Sequence, residues 1–227
     1  MIFVPSPSGG FCLDKYENSP GEKCPFKNPQ NQAETRENLN TPECKPVSVP
    51  NAIPWVFISK NQAEQACAKA GKRLPTNEEW YLASLGTPDK SADWGPGDCH
   101  VANNWNSQRG RTGSGNNCVS SFGAYDMIGN VWEWVKETVI EGKYENRILP
   151  EKGYVQSVDE KGLPLVTNLE NSDPNYNEDF FWISQEGGRA IARGGYWENG
   201  KKGGIYAAYI VYLPSQFGPA TGFRCAK

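Results

Sequence analysis

The sequence has little of what several classes of protein require. It contains one histidine, His100, and its seven cysteines include no CxxC pair, so the clustered Cys and His ligands of a zinc site are missing. No run of 18 apolar residues exists, which argues against a membrane-spanning helix. Basic residues number 23 against 26 acidic ones and are interspersed with them, so we expect no nucleic-acid partner. The start, MIFVPSPSGGF, lacks the basic region of a signal peptide.

Apolar and aromatic residues are present in amounts that can build a core. The chain of 227 residues is 37% hydrophobic and 12% aromatic, with eight tryptophans. Its 24 glycines and 17 prolines indicate many loops and little long helix. We therefore predict an α+β fold in a single domain over residues 1–227, with two main helices, short strands and many loops.

The two predicted helices have clear start and stop signals. Ser59 and Gln62 form a capping-box pattern, apolar residues recur at helical spacing, and Gly71 suits the end of the helix. The second helix starts at Thr76 and stops at Gly86. Strands are predicted at 1–16, 129–139 and in the last quarter of the chain. We expect loops at 17–50, 87–121 and 141–179, which are rich in Pro, Gly and Asn.

The cysteines bracket loop segments. Cys24 and Cys44 enclose one polar segment, and Cys99 and Cys118 enclose another. Because neither segment can bury much apolar surface, a disulfide across each is favoured, although reduced and half-buried thiols are the alternative. Such disulfides predict exposure at a cell surface, on a virion or outside the cell.

Four sequence strings carry a family resemblance. AGKRLPTNEEW (70–80), GAYDMIGNVWEW (123–134), RGGYW (193–197) and GFRC (222–225) occur in that order, after FCLDKYE (11–17). Together they resemble the formylglycine-generating-enzyme, or sulfatase-modifying-factor, domain. The resemblance implies a C-type-lectin-like fold and a disulfide between Cys67 and Cys225. Cys12 would then be the odd thiol, buried in the domain.

The residues that the family's enzymes use are absent. Those enzymes carry out copper and oxygen chemistry with two cysteines between the RGG and GFRC strings, whereas residues 198–221 contain no cysteine. A second branch holds iron through histidines, which the single His100 cannot supply. The departure implies that this chain is not an enzyme and has no redox cofactor.

Another branch of the family fits better. The variable ligand-binding proteins of diversity-generating retroelements change residues between RGG and GFR, which places a candidate variable region at 193–225. IYAAYIVYLPSQFGPAT is filled with residues that adenine mutation produces from Asn codons, although Glu198, Lys201 and Gln216 do not fit. The resemblance implies a ligand-binding protein with a variable surface. The alternatives are a formylglycine-generating oxidase and an adhesion domain of fixed sequence.

Aromatic residues are concentrated in this region. The spacing of Tyr206, Tyr209 and Tyr212 does not follow strand alternation, which favours a surface over the alternative of a buried strand face. Trp197, within a family string, is predicted to be core. A protein or cell-surface ligand is the expected partner, and the chain is expected to be a monomer. The candidate ligand-binding residues are Tyr196, Glu198, Tyr206, Tyr209, Val211, Tyr212, Gln216, Phe217 and Pro219.

The resemblance also implies a structural calcium ion. Its ligands would be Asp126, Gly129, Val131 and Glu133, which offer the oxygen atoms that calcium prefers. The alternative is that Glu133 makes a local cap or salt bridge. Asn103 and Asn104 match part of a second family site whose later carboxylate is not evident. Two pairs of basic residues in the family strings are predicted to support the fold: Lys72, Arg73, Arg193 and Arg224.

Overall fold

A computed structural model describes residues 1–7, 9–105 and 108–227, and within them a sheet dominates over the helices. The α+β prediction therefore holds in a coarse sense, with a mostly β architecture. No helix in the described ranges is long and apolar enough to cross a membrane. The helices are α1 (Gln32–Asn40), α2 (Lys60–Lys69) and α3 (Asn77–Ser84).

Within the described residues, the structure has three α-helices where two were predicted, because the segment 17–50 contains α1. Asn31 caps this helix by accepting a hydrogen bond from the backbone of Glu34. The helix is mostly polar and buries little beyond Leu39 and two polar side chains, so it shows no apolar stripe. The two predicted helices are confirmed. Both capping boxes form, at Ser59 for α2 and at Thr76 for α3.

Thirteen short strands are formed by the described residues. The strands outside the main sheet are β1 (Ile2–Val4), β2 (Phe11–Leu13), β3 (Ser19–Pro20) and β4 (Pro46–Val47). The main sheet contains β5 (Trp132–Ile140), β6 (Lys143–Tyr144), β7 (Arg147–Ile148), β8 (Gly153–Val158), β9 (Pro164–Asn168), β10 (Phe180–Ile183), β11 (Gly188–Arg193), β12 (Ala208–Ile210) and β13 (Thr221–Gly222).

The order in the main sheet is β7-β6-β5-β11-β12-β10-β8-β9, with β13 beside β5. Strands β5, β11 and β12 are antiparallel neighbours, whereas β12 pairs parallel with β10 and β13 pairs parallel with β5. The prediction of a loop at 141–179 was wrong, because this segment contributes strands β6 to β9. Its strands are short and interrupted by turns, which hid their alternation from the sequence pattern.

Apolar side chains cover both faces of the sheet. Along β11, Ala190 and Ala192 join a cluster that includes α2, while Ile191 joins a cluster that includes Trp80 of α3. Successive residues of a strand point to opposite faces, so a single strand serves both clusters.

The three predicted disulfides are present: Cys24–Cys44, Cys67–Cys225 and Cys99–Cys118. Such a set is typical of proteins that mature in an oxidising environment. The free cysteine is Cys12, which is half-buried instead of buried. The backbone of Cys12 exchanges two hydrogen bonds with Lys227, at N···O distances of 3.1 and 2.8 Å, so the two chain ends lie side by side.

Candidate functional site

A concave surface lined by aromatic rings lies where β5, β12 and β13 meet. Its volume is about 360 Å³. We call it the aromatic cavity, and its lining residues are Trp132, Tyr196, Trp197, Glu198, Tyr209, Tyr212, Gly218, Pro219, Ala220 and Thr221. Most of this lining comes from the predicted variable region, 193–225.

Strand geometry places Tyr209 in the wall of the aromatic cavity. Ala208 and Ile210 are buried on either side of it in β12, and Tyr209 is half-buried. In register, Tyr209 lies opposite Ala192 of β11 and Trp182 of β10. Because side chains alternate along a strand, Tyr209 must face away from the cluster that receives its two neighbours.

Strand β13 brings the segment 218–221 to the same place. Thr221 is the parallel partner of Trp132, whose ring centroid lies 5.7 Å from that of Tyr209. The ring of Tyr212 contacts Tyr209 at 5.2 Å and Trp134 at 6.3 Å. The two tryptophans of the GNVWEW string therefore support the two tyrosines from one face of β5.

Five of the nine candidate ligand-binding residues line the aromatic cavity: Tyr196, Glu198, Tyr209, Tyr212 and Pro219. Phe217 is 41% exposed and lines a neighbouring depression with Arg36. Gln216 is exposed, and its side chain accepts a hydrogen bond from the backbone of Leu213 at 2.7 Å. Val211 is half-buried at the end of β12.

Tyr206 does not belong with the other candidates. Its ring contacts Tyr176 at 5.1 Å and Tyr81 at 6.2 Å, at the other side of the sheet. Tyr206 is therefore separated from the cavity residues with which it was grouped as a candidate ligand-binding residue. Tyr206 precedes β12, and its partners come from distant parts of the sequence, so residue spacing could not reveal this packing.

Trp132 also lines the cavity but was not predicted from the sequence to do so. Trp132 is 5% exposed and forms part of the core as well as the wall. Trp197, predicted to be core, is 9% exposed and lines the cavity too. The pairing of β13 with β5 creates this wall, and no local sequence pattern indicates a parallel pairing between residues 89 positions apart, such as Trp132 and Thr221.

Two buried carboxylates hold the backbone that leads into β12. Oδ2 of Asp89 accepts a hydrogen bond from Ile205 N at 2.9 Å, and Oδ2 of Asp179 accepts one from Tyr206 N at 2.7 Å. Oδ1 of each is buried and accepts no hydrogen bond of good geometry from the described residues. Burial raises the pKa of Asp89 to about 7. Burial, and then the charge of Asp89, raise the pKa of Asp179 well above its usual range.

The aspartate pair gives a testable pH dependence. Both carboxyls bind protons more tightly in the folded state, so the stabilisation that they contribute is present below about pH 4 and is lost as the pH rises through the folded pKa, which is about 7 for Asp89. Arg193 offsets part of this effect at Asp179. We expect the unfolding free energy of Asp179→Asn to fall less between pH 5 and pH 8 than that of the parent, because asparagine has no proton to release in this range.

Urea unfolding at pH 5 and pH 8 measures this difference. Asparagine keeps the shape and the acceptor for Tyr206 N but carries no charge. The matched control is Asp93→Asn at an exposed position, which should leave the pH dependence unchanged. An Asp179→Asn profile that parallels the parent profile would contradict the role of the pair.

The two carboxylates among the predicted calcium ligands accept hydrogen bonds from protein groups. Both oxygens of Glu133 accept hydrogen bonds from Arg224, at 2.6 and 2.5 Å, and Oε2 also accepts one from Trp80 at 2.7 Å. Oδ2 of Asp126 accepts one from Gly113 N. A calcium ion at Asp126, Gly129, Val131 and Glu133 would compete with the buried guanidinium for Glu133, whereas Oδ1 of Asp126 is buried without a hydrogen-bond partner among the described residues.

Other potential metal ligands are also occupied or dispersed. Across the ranges 1–7, 9–105 and 108–227, no three His, Cys, Asp or Glu side chains form a cluster that could hold a metal ion. At the second family site, the amide of Asn104 donates to the carbonyls of Gly95 and Cys99 at 2.7 and 3.0 Å. Asn103 is exposed. Calcium binding stays a prediction.

The basic residues of the family strings support the fold. Arg193, fully buried, donates to Asn77 Oδ1 and to the carbonyls of Gly162 and Ile205, at 2.8 to 3.0 Å. Lys72 forms an ion pair with Asp14 at 2.6 Å, and Arg73 forms one with Glu79 at 2.6 Å. The carbonyl of Ile205 thus ties Arg193 to the segment that precedes β12.

Comparison with known proteins agrees with the motifs. "Inactive C-alpha-formylglycine-generating enzyme 2" of Bos taurus is 31% identical over 123 residues, which are 47% of this chain and 40% of that protein. "Formylglycine-generating enzyme" of Mus musculus is 37% identical over 100 residues, 37% of this chain and 27% of that protein. The chain therefore matches less than half the length of these curated relatives.

Solved structures extend the comparison to the whole chain. PvdO from Pseudomonas aeruginosa shares the fold, with a TM-score of 0.52 and 16% identity over 96% of this chain and 80% of that one. Treponema denticola variable protein 1 aligns with a TM-score of 0.46 and 13% identity, over 99% and 97%. The model of the sulfatase-modifying factor enzyme 1-like domain matches residues 10–227. The chain belongs to that family.

Proposed function

We propose that this chain is a ligand-binding protein that presents a variable surface on a C-type-lectin-like fold. The observation that carries the proposal is the aromatic cavity. Four of its five aromatic side chains come from residues 196–212, and a concave site lined by tyrosine and tryptophan is typical of recognition surfaces. A protein or cell-surface ligand is the proposed partner, met in an oxidising environment outside the cytosol.

The separation of buried residues from cavity-lining residues along the chain supports the proposal of a variable surface. Ala208 and Ile210 are fully buried, whereas Tyr209 between them lines the cavity. Glu198 and Pro219 are exposed and lie in connections, not in strands. Side chains that face outward from a fixed backbone can change while the core contacts remain. Such changes cost about 0.5 kcal/mol or less at exposed sites.

The cysteine chemistry argues against the family's oxidase activity. Six of the seven cysteines are in disulfides, and the remaining thiol, Cys12, lies in β2. The family's enzymes require two reactive cysteines near the position of residues 198–221, and this stretch has none. A single thiol cannot supply that pair, so we propose a binding protein without catalytic activity.

A display library tests the proposal. Positions 196, 198, 209, 212 and 219 are randomised on yeast, and the matched control library randomises five buried positions: Ala190, Ala192, Ala207, Ala208 and Ile210. We expect most members of the first library to resist protease, and almost none of the second, because overpacked or polar cores unfold. Sorting the first library against unrelated purified proteins should yield binders.

The decisive readout is reversal of binding. Restoring the five parent residues in a selected binder should abolish its binding to the new target while its protease resistance stays the same. A first library that is mostly unfolded, or folded members that never bind any target, would contradict a variable recognition surface at these positions.

A further inference from the structure

The charge of the aromatic cavity is one-sided. Of its ten lining residues, Glu198 carries the one formal charge. Glu198 is exposed, and within the described part of the chain it forms no ion pair with a Lys or Arg. Arg109 lines a neighbouring depression with Glu198 and keeps its positive charge, because its guanidinium donates to the neutral Asn28 Oδ1 at 2.6 Å, but Arg109 is not part of the cavity lining. The cavity thus combines five electron-rich rings with an unpaired carboxylate.

The angles between the aromatic rings limit the kinds of ligand that the cavity can bind. The planes of Tyr209 and Tyr212 meet at 74°, and those of Tyr196 and Trp197 meet at 79°. The planes of Trp132 and Tyr209 meet at 40°. A flat ligand such as a nucleobase stacks on a ring platform that runs parallel to it. Rings at steep angles instead form walls, which suit a compact positive group that is attracted to ring faces.

The field of the carboxylate extends into the cavity. Burial raises the pKa of Tyr196, and the negative charge of Glu198 raises it further. Burial also raises the pKa of Tyr209, followed by the influence of Tyr212. The phenols therefore stay neutral at physiological pH, and their rings keep the negative faces that attract cations.

We propose that the aromatic cavity binds the positively charged side chain of a lysine or arginine presented by a protein partner. The inference rests on the proposed binding function and specifies its ligand chemistry. The rings supply faces for the cation, Glu198 supplies the opposite charge, and the walls exclude water from the contact. Charge complementarity is the argument for this occupant over an uncharged apolar one.

Nuclear magnetic resonance of the folded, oxidised chain tests the proposal with defined probes. Capped lysine and capped arginine are titrated against the indole N–H signals of Trp132 and Trp197, and capped norleucine is the neutral control. Choline and its neutral isostere 3,3-dimethylbutan-1-ol form a second pair, which reports a quaternary ammonium group. We expect lysine or arginine to shift both signals with a millimolar Kd and norleucine to bind at least about tenfold more weakly.

Matched variants identify the groups responsible. Glu198→Gln should weaken the binding of capped lysine by about 3- to 30-fold, and Tyr212→Leu should have an effect of similar size. Glu186→Gln removes another exposed carboxylate, one outside the cavity lining, and should leave the affinity unchanged. Circular dichroism at the same temperature confirms that each variant is folded.

Several results would overturn the cation assignment. Equal binding of norleucine and lysine would identify an apolar site, and an unchanged affinity in Glu198→Gln would remove the electrostatic basis. Choline binding without lysine or arginine binding would assign the site to a quaternary ammonium headgroup. Shifts caused by glucose or galactose alone would assign it to carbohydrate. Absence of any shift would also overturn it, while the display libraries would report separately on the binding function.

Discussion

Replacing Arg224 by methionine is expected to lower the free energy of unfolding by about 3–5 kcal/mol. The guanidinium is fully buried and donates to both oxygens of Glu133, which is 1% exposed. It also donates to the carbonyl of Tyr125 at 2.8 Å. Methionine preserves much of the side-chain volume but leaves the Glu133 carboxylate without its counter-charge, and an unpaired buried charge is costly.

Urea unfolding of the parent and four variants measures this effect. Glu133→Gln should also destabilise the fold, because it leaves the guanidinium of Arg224 unpaired. The double variant should lose less than the sum of the two single losses, since both charges are then gone. Arg36→Met, at an exposed position of α1, should cost about 0.5 kcal/mol or less. A loss below about 1 kcal/mol for Arg224→Met would contradict a structural role for the pair.

Removing the disulfide between Cys67 and Cys225 is expected to cost about 5 kcal/mol in the chain-entropy model. The bond joins residues separated by 158 positions, so it restricts most of the unfolded chain. The Cys24–Cys44 bond encloses a separation of 20 and should contribute about 3 kcal/mol. The expected ranking follows from the longer loop, because closing it removes more conformational freedom from the unfolded state.

Guanidinium unfolding of double alanine variants under non-reducing conditions measures which of the two disulfides stabilises the fold more. Cys67→Ala with Cys225→Ala should shift the midpoint further than Cys24→Ala with Cys44→Ala. Cys12→Ala, which removes the free thiol, is the control and should have little effect. A smaller shift for the long loop than for the short one would indicate residual structure in the unfolded chain.

Elements with local signals could be predicted from the sequence. Helices α2 and α3 each carry a capping box, in which a Ser or Thr and a residue three positions later satisfy each other's backbone. Helix α1 carries an Asn cap but no apolar periodicity, so the same reasoning missed it. The extension of the sheet through β6 to β9 was missed because its pairing is decided by tertiary contacts.

The tyrosines of the candidate site could be predicted from the sequence, but the residues that support them could not. Tyr196, Tyr209 and Tyr212 were recognised because aromatic residues crowd one region. Their support by Trp132 depends on the parallel pairing of β13 with β5, which no local pattern encodes. Asp89 and Asp179 lie in two predicted loops, 90 positions apart in the sequence. Only the fold brings both to the backbone of residues 205 and 206.

The disulfide between α2 and the last residues of the chain also limits how far the chain can extend under a pulling force. If the oxidised chain is pulled from its adjacent ends, the segments enclosed by Cys24–Cys44 and Cys67–Cys225 cannot lengthen. Roughly 50 residues remain free to extend, which is about 170 Å of contour at full stretch. All ten residues that line the aromatic cavity lie between Cys67 and Cys225, so this segment stays covalently enclosed while the N-terminal part unfolds under tension.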